Sequence, residues 1–288
     1  MEQKQIASVL LSDLLPSELP NGLGLRFLRL CGEAFFFMAF ALLFPFVLGL
    51  MQGAMIALFL VSSSLMGRLR QLMDENRFNI WVLRQNSWKA NQLSAVSILG
   101  IFFGLFLANI LFSLILANIG AGKGLEHFFD FILKTVNLHP DQPLAHRFTS
   151  FWGILFNNYV VLITTIILTA VYRAYGLILV LSWNACIWAV LLFYMFRHAW
   201  ITSKISTIEF LARSLGAMLP HLMLEATAYI LAALGALFWS RSSVLYKSDD
   251  PRYKSVLKAS GTLLVLACII VLLAGICETT LPPALLSF

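Results

Sequence analysis

The sequence predicts an all-α fold, a polytopic transmembrane helix bundle of six spans. Of its 288 residues, 60% are hydrophobic and only 12% are charged, whereas soluble domains carry about one quarter charged residues. The apolar residues fall into blocks of about twenty, the length that a helix needs to cross the hydrocarbon core. Alternating segments of about ten residues, as a membrane β-barrel requires, are not found. The lipid bilayer is therefore the predicted environment of this chain.

The net charge of +6 reflects membrane topology. Lys and Arg cluster beside the apolar blocks, where anionic headgroups and the positive-inside bias place them, so we predict no nucleic-acid partner. The four cysteines lie in apolar runs and show no metal-ligand spacing. We therefore predict no metal site and no cofactor.

The N-terminal part of the chain contains a leader and a long apolar block. Residues 1–32 contain both polar and apolar residues and are partly amphipathic. This pattern favours an interfacial leader over a cleaved signal peptide. The block 33–66 is too long for one upright span and contains Pro45, Gly49 and Gly53. Such residues bend or break helices, and we predict one long, kinked span. The alternative is a tight hairpin that turns at Gly53 and the glutamine before it, which would give seven spans.

Segment 67–92 is rich in basic residues and is predicted to be a cytoplasmic loop, so that residues 33–92 form a first membrane region. Loops on its side of the membrane hold five, one and five Lys or Arg residues, against three and three on the other side. Basic loops stay preferentially in the cytoplasm. The charge count thus predicts the orientation of every span.

Five further spans are predicted within residues 93–283, and a short tail, 284–288, ends the chain. Their approximate bounds are 93–118, 150–172, 175–196, 217–240 and 259–279. The third and fourth spans must form a hairpin because only two residues separate them. Stripes of small residues in the second and fifth spans predict faces where a neighbouring helix packs closely. These residues are Gly100, Gly104, Ala108, Ala228, Ala232 and Gly235.

Polar residues inside the predicted spans are the candidate site, because a polar group in lipid costs free energy unless it is paired. They are Asn109, Asn157, Asn158, Asn184, His221, Glu225 and Glu278. Successive helices run in opposite directions, so most of these groups fall at one depth, and we predict one polar cluster in the extracytoplasmic half.

His221 and Glu225 lie four residues apart on one helix face. Their function could be to bind a ligand, pass a proton or seat a partner helix; the alternative is a hydrogen-bonded core that sets helix register. No nucleophile constellation, P-loop or dinucleotide fingerprint is present, so we predict no catalytic residues and no enzyme activity.

Three segments carry a resemblance to a known family: LFNNYVV at 155–161, LPHLMLEATAYILAALGAL at 219–237 and AGICETTLPP at 274–283. In this order and spacing they resemble the stage II sporulation protein M family of prokaryotic integral membrane proteins. The resemblance covers about 93–283, which it implies is a five-helix membrane domain. Leu222 departs from the pattern, because relatives commonly have Gly at that position.

The resemblance implies a multi-pass protein of the prokaryotic cytoplasmic membrane that works as a scaffold or anchor. In sporulating relatives, such a protein organises a peptidoglycan-degrading complex during engulfment. We therefore expect other membrane or envelope proteins as partners. Association of the chain with copies of itself is an alternative that the sequence leaves open. The alternative function is a transporter or permease subunit with a polar intramembrane site at His221 and Glu225.

Overall fold

The computed structural model describes residues 19–20, 22–118, 122–135, 150–202 and 206–285. These ranges contain eight α-helices and no strand. The helices are α1 (Leu23–Val47), α2 (Gly53–Trp81), α3 (Ser87–Asn118), α4 (Gly122–Thr135), α5 (Phe151–Tyr172), α6 (Ala174–Thr202), α7 (Thr207–Leu245) and α8 (Pro251–Leu285). All except α4 are long and apolar enough to cross a membrane, which makes seven candidate spans within the described ranges. The predicted all-α polytopic bundle is confirmed.

The helices belong to two compact units. Unit 1 comprises Met1–Asn137 and Ile178–Leu191, and thus holds α1 to α4 with the middle of α6. Unit 2 comprises Leu138–Leu177 and Leu192–Phe288, and thus holds α5, the two ends of α6, α7 and α8.

The first apolar block is a helical hairpin, so the prediction of one long kinked span is wrong and the seven-span alternative holds. Helix α1 ends at Val47 and α2 begins at Gly53. Between them, Gly49 and Gln52 have φ angles of 64° and 57°, a left-handed conformation that ends helices. A Cβ on Gly53 would overlap the ring of Phe128 in α4. The turn therefore depends on glycine both for its backbone and for close packing.

The predicted cytoplasmic loop 67–92 is mostly helical, which is a second correction. Helix α2 continues to Trp81 and α3 begins at Ser87. Arg68, which was assigned to the loop, is 2% exposed and its Nε donates a hydrogen bond to Glu33 Oε2 at 2.8 Å. A count of basic residues cannot separate a solvated arginine from one that is paired with a carboxylate on a neighbouring helix.

The predicted leader lies largely outside the described residues, which include only part of 1–32. Its last ten residues belong to α1, since that helix begins at Leu23. In unit 1, α1 lies against the small-residue stripe of α3. A Cβ atom on Gly100 would lie 2.7 Å from the Phe27 carbonyl oxygen. A Cβ atom on Gly104 would overlap the Cys31 carbonyl oxygen. Two helix backbones meet at these glycines.

The α5–α6 hairpin of unit 2 matches the predicted one. Arg173 alone separates the helices and has a φ of 55°. A Cβ on Gly176 would overlap the Leu168 carbonyl oxygen. The turn is tight because this glycine admits the preceding helix backbone.

Helices α5, α7 and α8 are joined by close contacts along their lengths. Ser240 Oγ of α7 donates to the Ala170 carbonyl oxygen of α5 at 2.6 Å. The Tyr159 hydroxyl of α5 donates to the Cys268 carbonyl oxygen of α8 at 3.0 Å. The stripe of α7 that contains Gly235 faces α8, and its two alanines, Ala228 and Ala232, are fully buried. These contacts set the register that positions the site.

Candidate functional site

Four side chains of unit 2 meet where α5, α7 and α8 pack together. Asn158 Nδ2 donates a hydrogen bond to Glu225 Oε1 at 2.6 Å. The Glu278 carboxyl of α8 lies near this hydrogen bond. Tyr229, one turn after Glu225 on α7, lies near both carboxyls. We refer to Asn158, Glu225, Tyr229 and Glu278 as the carboxyl cluster.

The carboxyl cluster is shielded from solvent. Asn158 and Glu225 are each 5% exposed and Tyr229 is 3% exposed. Glu278 is half-buried, but its Oε2 atom is buried and has no hydrogen-bond partner among the described residues. No described Lys or Arg forms an ion pair with either carboxyl. Two acidic groups therefore lie together without a cationic side chain.

Helix geometry explains which asparagine joins the cluster. Asn157 and Asn158 point about 100° apart on α5, and only Asn158 faces α7 and α8. Asn157 is exposed on an adjacent face of the helix. Both asparagines were predicted site residues, but Asn157 does not belong to the carboxyl cluster.

His221 lies on α7 one turn before Glu225 and is 3% exposed. Its ring lies near the Ala217 carbonyl oxygen, but Nδ1 makes no hydrogen bond of good geometry within the described residues. Their four-residue spacing suggested that His221 and Glu225 exchange a hydrogen bond or a proton. In the structure Glu225 instead bonds to Asn158, and His221 is a buried neighbour of the cluster.

Asn109 and Asn184 belong to unit 1 and not to the carboxyl cluster. The Nδ2 atom of Asn109 donates to the Leu105 carbonyl oxygen at 2.8 Å, and that of Asn184 donates to the Val180 carbonyl oxygen at 2.9 Å. Each amide thus donates to a backbone carbonyl one turn earlier in its own helix. Such a bond is available to an Asn side chain in any helix.

Sequence reasoning missed Tyr229 and a network of ion pairs in unit 1. Tyr229 follows Glu225 by one helical turn, so helical spacing could have revealed it. In unit 1, Arg26 donates to both oxygens of Glu75 at 2.9 and 2.6 Å, and Arg68 donates to Glu33. Arg26 and Glu33 lie seven residues apart on α1, as Arg68 and Glu75 do on α2. That matched spacing on two antiparallel helices was the available signal.

The fold and the carboxyl cluster define an α-helical polytopic membrane protein with one buried and one half-buried acidic side chain in the same cluster. The family model described as stage II sporulation protein M matches residues 93–283, and the chain belongs to this family. Comparison with curated proteins and with solved structures gives no match. The matched residues include the whole carboxyl cluster, whereas α1 and α2 precede them. Leu222, where the sequence departs from the pattern that the resemblance implies, is 7% exposed.

Proposed function

We propose that this protein is a non-enzymatic scaffold of the prokaryotic cytoplasmic membrane that anchors an envelope or peptidoglycan-remodelling complex. The observation that carries the proposal is the 2.6 Å hydrogen bond between Asn158 and Glu225, two residues that are each 5% exposed. A polar contact between helices in lipid specifies how they pack. Membership of the family supports the choice of process, because its sporulating members organise a peptidoglycan-degrading complex.

A scaffold must hold its helices in one arrangement so that bound proteins keep their positions. In unit 2 the Asn158–Glu225 bond lies near one end of the contact between α5 and α7, and the Ser240–Ala170 bond lies near the other. Two separated polar contacts oppose both sliding and rotation of the helices. This arrangement supports a rigid platform over a helix pair that opens and closes.

Photo-cross-linking in living cells tests the scaffold function directly. A benzophenone side chain is placed on α5 at Trp152 or Phe156, which are 76% and 73% exposed. Leu162 on the same helix is 1% exposed and is the matched control position. We expect cross-links to an envelope enzyme or its membrane partner from the exposed positions only. Deletion of the protein should alter both the muropeptide profile and the localisation of that enzyme; an unchanged profile and localisation would contradict the scaffold function.

A transporter or permease subunit is the second candidate function. It is favoured by the buried Glu278 Oε2 atom, which has no hydrogen-bond partner among the residues that the structure describes. A buried acceptor beside a second carboxyl is the kind of group that carries ions in transporters. Proteoliposomes that contain the purified chain and a pH-sensitive dye test this alternative. Ion flux that depends on the protein and is abolished by Glu225→Gln would support transport and weigh against a purely structural role.

A further inference from the structure

The exposed face of α5 carries a side-chain amide that has no hydrogen-bond partner among the described residues. Asn157 is exposed and lies about 9 Å from the first residue of this candidate span, so its side chain faces lipid. The neighbouring Asn158 donates to Glu225, whereas the Asn157 side chain bonds to nothing in the described part of the chain. A polar group in lipid costs free energy unless it is paired, and a hydrogen bond to another helix can pair it.

The exposed residues around Asn157 follow a regular repeat along α5. Steps of four and three residues alternate through six exposed positions, which we call the α5 seam: Gly153, Asn157, Val160, Thr164, Ile167 and Val171. At 100° per residue, these positions fall within about 80° of one another around the helix. Such spacing is typical of a helix that packs along a second helix in a left-handed pair.

Packing within the protomer leaves the α5 seam uncovered. In the most apolar part of α5, 28% of the residues are buried, against 67% for α7. Helix α8 is covered as little as α5, but its exposed residues between Val265 and Ile276 are all apolar and need only lipid. A Cβ on Gly153 would meet the Ser150 side chain at the start of the same helix and no other helix in the described part of the chain. A second helix can therefore approach α5 closely at this end of the seam.

The chemistry of Asn157 fits a second copy of the same chain. An amide both donates and accepts hydrogen bonds, so two facing Asn157 side chains satisfy each other. All copies insert in one orientation because the same basic loops stay in the cytoplasm, and the α5 helices of two copies therefore run parallel. In a parallel helix pair each core residue faces its own counterpart, and a single core Asn fixes the register of the pair.

We propose that two copies of this chain associate through their α5 seams about a two-fold axis along the membrane normal, with the two Asn157 side chains hydrogen-bonded to each other. The adjacent asparagines then have separate roles, since Asn158 bonds within the protomer and Asn157 bonds between protomers. This pairing goes beyond the scaffold function, because a two-fold platform presents each of its binding surfaces twice.

Disulfide cross-linking in native membranes tests the pairing on the full-length protein in a background without native cysteines. Val160→Cys and Ile167→Cys each place a thiol in the seam, where it should face its own counterpart. Copper phenanthroline should therefore convert both variants to a disulfide-linked species of twice the chain mass. Trp152 and Val265 are the matched lipid-facing controls, being 76% and 61% exposed. Trp152 lies about 100° from the centre of the seam and Val265 lies on α8, so cysteine at either position should remain monomeric.

Energy transfer between labelled copies in liposomes tests the role of the amide. Asn157→Leu should raise the dissociation constant of the dimer about tenfold, because it removes hydrogen bonds between helices in lipid. Asn157→Gln retains an amide and should retain most of the affinity. Asn118→Leu is the matched control and should equal wild type, since Asn118 is exposed on α3 and already donates to the Leu114 carbonyl oxygen of its own helix.

Several results would overturn the proposal. They are absence of the linked dimer from both seam variants, equal linkage in the control variants, and a dissociation constant for Asn157→Leu within about twofold of wild type. Energy transfer that fits three or more copies per assembly would exclude a two-fold pair. Linkage of the seam variants to a different protein would assign the α5 seam to that partner instead. Because partner cross-links and muropeptide profiles test the scaffold function separately, a monomeric protein would leave that function standing.

Discussion

Removal of one partner of the Glu33–Arg68 ion pair in unit 1 should lower the stability of the protein substantially. Arg68 Nε and Nη2 donate to the two Glu33 carboxylate oxygens at 2.8 and 3.1 Å. The side chains are 2% and 8% exposed for Arg68 and Glu33, so water screens them little. Glu33→Ala would remove the carboxylate that pairs with both Arg68 and Arg29, while the hydrogen bond from Arg68 to Gln71 would remain.

The expected loss follows from the geometry and burial of the pair. Two unit charges about 4 Å apart attract by about 4 kcal/mol at an effective dielectric constant of 20. Removal of one partner from a buried pair typically costs about 3–5 kcal/mol, because the other charge is left uncompensated. We therefore expect Glu33→Ala to lower the free energy of unfolding by about 3–5 kcal/mol. The double variant Glu33→Leu with Arg68→Leu should lie near or above wild type, since apolar replacement of both partners is often neutral or stabilising.

Reversible unfolding by SDS in mixed micelles, followed by tryptophan fluorescence, measures both effects. The control is Glu209→Ala, which breaks an exposed ion pair whose side chains are 42% and 45% exposed and should cost at most about 1 kcal/mol. A loss below about 1 kcal/mol for Glu33→Ala would refute the reasoning. A double variant as unstable as the single one would refute it too, because the damage would then come from lost packing.

Three other predictions address packing, orientation and the carboxyl cluster. Gly104→Leu should lower the melting temperature sharply because its side chain would collide with the α1 backbone, whereas Gly261→Leu, whose Cβ meets nothing within 4 Å, should not; equal effects would contradict the close approach. In a background without native cysteines, Ser248→Cys should be protected from an impermeant thiol reagent in intact cells, because this loop is predicted to be cytoplasmic. Seven crossings also place a reporter fused to the N-terminus on the cytoplasmic face. Labelling of the cysteine from outside would reverse the orientation, and a reporter on the opposite face would contradict seven crossings. Glu225→Ala should cost about 1–3 kcal/mol by leaving the Asn158 amide unsatisfied, whereas Glu225→Gln should fold nearly normally, and similar losses in the two variants would count against the hydrogen bond.

Parts of the candidate site could be predicted because intramembrane polar groups are few and their depth follows from helix direction. Asn158, Glu225 and Glu278 were predicted site residues, and the structure brings them together. Asn109 and Asn184 were also predicted, but their amides bond within their own helices. An asparagine in an apolar segment has the same sequence signature in either case, because a carbonyl one turn earlier competes with any distant partner.

The number of spans shows a similar limit. The glycines in the first apolar block were compatible with a kinked helix or with a turn between two helices. The left-handed backbone conformation of Gly49 and Gln52 makes the segment a turn. The ion pairs of unit 1 were hidden because opposite charges far apart in sequence become neighbours only when the hairpin closes. Arg26 and Glu75, for example, are 49 residues apart.

The sequence by itself determined that this chain is a helical membrane protein of the stage II sporulation protein M family, because span length, apolar composition and family motifs are local properties. Only the tertiary structure decided which polar groups share a site. That choice depends on helix rotation and on contacts between distant residues, and the burial of Glu225 beside Glu278 arises from the packing of α7 on α8. The same packing leaves two acids together without a cationic side chain among the described residues, and no local pattern reports that arrangement.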